Sequence, residues 1–120
     1  MASEMKRDMD LIRKQLLAIE SAQDALSIEG YSKEALLYHL YLLDDAGFIR
    51  ATFMRGSKGE VMAAHVFEIT WTGHEFLQSI KDDTLWKKAK EDVLKPTASW
   101  TFSILTEWLK QEMKTKMGIL

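Results

Sequence analysis

The stretch between Ser32 and Thr70 constrains the fold most, because it reads as one helix followed by two strands with little chain to spare. Leu36, Leu40 and Leu43 recur at helical spacing with Leu37 on the flank, so they form one buried stripe. Ser32 is suited to N-cap this helix and Gly47 to stop it after Ala46, since glycine takes the left-handed conformation that ends helices. Phe48 to Met54 and Val61 to Thr70 are rich in branched and aromatic residues. The polar, glycine-containing run Arg55-Gly56-Ser57-Lys58-Gly59-Glu60 between them is a hairpin connection.

Helices are expected on both sides of this block. Met5, Met9, Ile12, Leu16 and Ile19 follow at spacings of four, three, four and three, which gives a first helix from about Lys6 to Ser21. Thr72-Gly73-His74-Glu75 has the form of a capping box and predicts a helix from Gly73 to about Lys81. After a break at Asp82-Asp83, where the carboxylates suit a helix N-terminus, Leu85, Trp86, Ala89 and Val93 mark a fourth helix ended near Lys95 by Pro96. Ser99 is read as the cap of a last helix, Trp100 to about Met117. Its apolar residues cover more of the circumference than one buried stripe requires.

The order helix, helix, hairpin, helix predicts an α+β, mainly helical, winged-helix domain with a two-stranded β-wing and a C-terminal helical extension. Residues 1–95 form the domain and 96–120 the added helix. Between Ser21 and Tyr31 there is little room for the helix that normally precedes a recognition helix, so a truncated helix-turn-helix is expected. With 47% hydrophobic residues, one proline and six glycines, the chain has the composition of a folded globular protein. Absence of cysteine excludes disulfides and thiolate chemistry and fits the cytoplasm. The charged N-terminus holds no apolar signal core, and no run approaches a membrane span.

Two segments carry a resemblance. The run from His39 to Ile49, with Leu40, Leu43, Ala46 and Gly47, resembles the end of a winged-helix recognition helix. Ile69-Thr70-Trp71-Thr72-Gly73-His74-Glu75-Phe76-Leu77 is similar to the segment that follows the wing in such domains. Together with Met5-Lys6-Arg7-Asp8-Met9-Asp10-Leu11-Ile12-Arg13 and Asp82-Asp83-Thr84-Leu85-Trp86, these runs resemble an uncharacterised family of bacterial and prophage proteins known as a domain of unknown function. That resemblance covers most of Met5 to Leu94. It implies a phage or mobile-element setting and a winged-helix-like fold, with no catalytic residue to carry over.

The candidate chemistry is binding. Sixteen Lys and Arg against eighteen Asp and Glu leave a net charge of −2, so DNA contact requires a local patch. Arg50, Arg55 and Lys58 of the wing, with Lys33, Tyr38 and Tyr41 of the second helix, are the candidate double-stranded-DNA residues. Glu34 and Asp45 on the same helix face oppose that assignment, and the face offers none of the residues that usually read base edges. Trp86, Trp100 and Trp108 are the bulky residues singled out. Trp100, Ile104, Leu105, Trp108 and Leu109 are the candidate homodimer interface. His39, His65 and His74 sit in separate elements, which makes a metal site unexpected, and His39 is expected to be a hydrogen-bonded structural residue. No nucleophile-base pair or phosphate loop is present, so no enzyme and no cofactor are expected. Two readings stay open: a phage- or prophage-associated DNA-binding accessory transcriptional regulator, and a protein–protein interaction module on the same fold that does not bind nucleic acid.

Overall fold

The computed structural model describes residues 6–95 and 99–118; Met5 of the first stripe and Pro96, the expected terminator, lie outside them. The described residues form α1 (Met9–Glu20), α2 (Lys33–Asp45), β1 (Ile49–Arg55), β2 (Val61–Ile69), α3 (Trp71–Ile80), α4 (Asp83–Asp92) and α5 (Phe102–Lys116). The protein is α+β and mainly helical, with a two-stranded antiparallel sheet. It divides into two compact units, Met1–Glu75 and Phe76–Leu120.

In the first unit, Leu11, Ile12 and Leu16 of α1 and Leu36, Leu40 and Leu43 of α2 are buried. Each such side chain contributes about 2 kcal/mol by leaving water. The start of α1 is later than the stripe predicts because Asp8 is its cap, its Oδ1 accepting from the N–H groups of Asp10 and Leu11. The Asp8 N–H in turn donates to His39 Nε2 at 2.8 Å, while His39 Nδ1 lies 2.8 Å from the Ala35 carbonyl. A backbone donor on Nε2 leaves Nδ1 to carry the proton. His39 is therefore the structural residue expected of it, buried and bonded on both nitrogens.

Both helices of this unit end in the same turn. Phe48 N–H donates to Leu43 O and Gly47 N–H to Asp44 O, with Gly47 at φ +82°. Gln23 N–H donates to Ala18 O and Ala22 N–H to Ile19 O, with Ala22 at φ +57°. These are Schellman pairs, and alanine occupies the position that glycine normally fills. Residues 21–32 form no helix, only turns and bends, so no further helix separates α1 from α2.

The register pairs Ile49 with Ile69, Ala51 with Val66 and Phe53 with Ala64, and these residues face inward. Arg50, Thr52 and Met54 face outward with Glu68, His65 and Ala63. Bulges between Arg50 and Ala51 and between Met54 and Arg55 shift the register twice.

The cap of α3 differs from the sequence expectation. Thr72 lies inside the helix, and Thr70 is the residue whose Oγ1 accepts from Gly73 N–H at 3.0 Å. The same hydroxyl donates to Gly47 O, and Thr70 N–H donates to Phe48 O at 2.9 Å. A Cβ on Gly73 would stand 2.0 Å from that Phe48 oxygen, so only glycine lets the first turn of α3 approach this closely. The Gly47-Phe48 and Thr70-Gly73 segments, which carry the resemblance, are thus two halves of one junction.

In the second unit α4 is N-capped by Asp82, whose Oδ1 accepts from Leu85 N–H at 2.8 Å. Ser99 is not the cap of α5; Thr101 is, accepting from Ile104 N–H at 3.2 Å, which leaves Trp100 ahead of the helix. Asp82 pairs with Lys116 and Lys88 with Glu112, so α4 and α5 run antiparallel. Lys116 and the Leu85 amide hold the Asp82 carboxyl below its ordinary value. Glu112 raises the Lys88 ammonium.

Candidate functional site

The hairpin is the element that stands out from the core, and its base and tip are positioned differently. The base is held by the Thr70 bonds to Gly47 and Phe48 and by Ala51 N–H, which donates to Asp44 Oδ1 at 3.1 Å. The tip is closed by Gly56 N–H donating to Glu60 O, with Arg55 Nη1 donating to Gly59 O at 2.7 Å. Gly59, at φ +82°, supplies the left-handed residue that this turn needs.

The six residues expected to face DNA are not gathered into a basic patch. Arg50 forms an ion pair with Glu68 across the strands. The Arg55 guanidinium stacks 4.9 Å from the ring centre of Tyr41, which also meets Phe53 edge-on at 5.7 Å. Tyr38 packs edge-on against His39 at 5.7 Å. Lys33 is exposed in the first turn of α2 beside exposed Glu34. Lys58 is exposed at the tip, where its backbone N–H donates to Glu60 Oε1. Tyr41 and Arg55 are brought together, and Glu68 and Glu60 accompany the hairpin's cations.

Beside these polar residues the hairpin exposes large apolar side chains. Met54 is 68% exposed, Met62 52%, Phe67 60% and Trp71, just past the end of β2, 81%. His65 meets Phe67 edge-on at 4.7 Å. None of these four exposed residues is among the candidates that the sequence names. Counting by twos from inward-facing Ile69 would turn Phe67 inward, and the bulge reverses it. The only sequence signal was Trp71, a bulky apolar residue among polar ones at a strand-to-helix junction.

A model of the family described as "Hypothetical protein (DUF2513)" matches residues 6–99. The chain belongs to this family. It is also 36% identical over 95 residues to a protein of Haemophilus influenzae strain Rd described as "Uncharacterized protein", a match covering 74% of this chain and 79% of that relative. No solved structure matches. The matched residues of this DUF2513 chain include the whole hairpin and the junction beneath it.

The candidate interface residues of the C-terminal unit divide by burial. Leu105 and Leu109 are 0% and 1% exposed and belong to the interior of the DUF2513 chain, as does Trp86. Ile104 is 51% exposed, while Trp100 and Trp108 are half-buried. Among the described residues no group of three or more His, Cys, Asp or Glu could hold a metal ion, and no helix is long and apolar enough to cross a membrane.

Proposed function

We propose that this DUF2513 chain is a protein–protein interaction module built on a winged-helix-like arrangement, with the hairpin as its docking element. The observation that carries this reading is the hairpin itself, whose outward side presents Met54, Met62 and Phe67 while Arg50 and Arg55 are engaged by Glu68 and Tyr41. Several large exposed apolar side chains on one element of a small domain favour an interaction surface. A wing that enters a DNA groove instead presents unpaired cations to phosphate. The acidic residues on α2 and the net charge of −2 agree with the protein reading.

The Arg55–Tyr41 stack favours a second reading, in which wing and α2 together contact duplex DNA as part of a phage-associated regulator. Such a stack contributes about 0.5–1 kcal/mol at an exposed site, little enough for phosphate to displace it. Fluorescence anisotropy of a labelled random duplex, followed at low and near-physiological salt, separates the two. The protein reading expects no salt-sensitive binding at micromolar protein, and no change on reversing the charges of Arg55 and Lys58. Binding that weakens steeply with salt and is lost on charge reversal supports DNA association instead.

A further inference from the structure

One side of the hairpin faces a groove. Its volume is about 340 Å³, and it is lined by residues 64–67 of β2, by residues 22–26 of the loop after α1, and by Ile19 and Leu40. The lining of β2 is decisive. Successive side chains of a strand point to opposite faces, so a cleft lying against one face would touch every second residue. This groove touches four in a row, and it therefore views the strand from its edge. Among the described residues the sheet has two strands, and β1 occupies the other edge of β2, so the groove runs along the edge that no described strand pairs with.

The opposite wall is fixed from within. Gln15 is fully buried, and its Nε2 donates to the carbonyls of Ala25 at 3.1 Å and Leu36 at 2.9 Å, tying the loop to α2. Asp24 stiffens the same loop, accepting from Leu26 N–H and the Ser27 hydroxyl. The wall is preformed, so little ordering would be needed on binding.

We infer that this groove is a docking site for an extended segment of a partner protein, added as a third strand on the free edge of β2. A free edge offers alternating N–H and C=O groups, and an extended backbone is the ligand that satisfies such a row. Residues 64–67 span roughly 13 Å, enough for about four residues of guest strand. Ile19, Leu40 and the half-buried Leu26 supply apolar contacts, so the guest carries apolar side chains at alternate positions. A second copy of the chain is a poor occupant. Its own β2 edge is bordered by its own 22–26 loop, and edge-to-edge pairing would bring two such loops against each other. This inference rests on the protein-interaction reading and adds the free edge of β2 to the outward side as a second docking surface.

The test uses a phage-displayed library of random decapeptides panned against the immobilised chain. Enriched peptides are then synthesised and titrated into the ¹⁵N-labelled protein. Amide shifts concentrated in 22–26 and 64–67, slowed hydrogen exchange along β2, and apolar residues at alternate peptide positions are the expected results. Gln23→Trp, an exposed change that crowds the groove, should weaken binding at least tenfold, and Leu26→Arg should do the same. Thr52→Arg on the outward face should leave binding unchanged, and the ¹⁵N spectrum of each variant checks its folding. Shifts confined to Met54 and Met62, with 22–26 and 64–66 unmoved, would overturn the groove while leaving the interaction reading standing. Failure of any peptide to enrich also overturns it, and salt-sensitive DNA binding in the separate duplex titration would remove the broader reading as well.

Discussion

The ends of α1 and α2 are closed by the same pair of hydrogen bonds, yet the segments that leave them are held in opposite ways. After α2, the chain is fixed by local chemistry: a left-handed glycine, a threonine hydroxyl that both donates and accepts, and a second glycine against a carbonyl. After α1, an alanine takes the left-handed turn, and the following loop is anchored by Gln15, which sits 10 residues from Ala25 and 21 from Leu36 in sequence. The first junction depends on what single residues can do with their backbones. The second depends on one buried amide arriving from elsewhere.

Substitutions can break each side of this comparison. The largest effect is expected from Gly73→Ala, because the clash is with the Phe48 backbone, which cannot rotate away; a loss of about 3 kcal/mol in urea unfolding is expected. Gln15→Ala should cost about 2–3 kcal/mol, combining a cavity with two lost hydrogen bonds. It should also speed hydrogen exchange in the 22–26 loop, which Gly73→Ala would leave slow. Thr70→Val removes the shared hydroxyl and should cost about 1–2 kcal/mol. Ala22→Gly sharpens the comparison from the other side. It should raise the unfolding free energy by up to about 1 kcal/mol, since glycine carries no left-handed penalty.

The smallest effect lies outside both junctions. The Asp82 carboxyl is depressed in the folded chain by Lys116, so its contribution is present above the unfolded value and disappears as pH falls through the folded one. Lys116→Ala should lower the melting temperature slightly at neutral pH and flatten the decline on acidification. An unchanged acid profile would show that this exposed pair contributes nothing.

The same contrast explains what the sequence disclosed. The leucine stripe of α2, the hairpin and the segments around Gly47 and Gly73 were legible because their signals are residue-specific and local. The cap of α3 was misplaced by two residues because Thr70 and Thr72 both precede apolar helical residues, and only Thr70 also reaches Gly47. The exposed Met62 and Phe67 were invisible because two bulges change the phase of alternation along β2, and nothing in the hairpin's composition announces a bulge. The buried clamp of Gln15 escaped notice because a lone glutamine in an amphipathic helix looks like a solvated residue. Leu105 and Leu109 were assigned outward because helical periodicity shows which residues share a face, and not what covers that face.

The root of the hairpin has a mechanical consequence. Strands of 7 and 9 residues are roughly 23–30 Å long at ordinary strand rise; their base is pinned by Thr70, Phe48 and the Gly73 contact, their inward face rests on α2, and the turn around Gly59 extends beyond. Such an element is a cantilever, stiff where it is built in and compliant toward Gly59. A load applied near the tip produces its largest bending moment at the root, so the end of α2 and the start of α3 receive the force together. Whatever engages the hairpin therefore pulls on both helices at once.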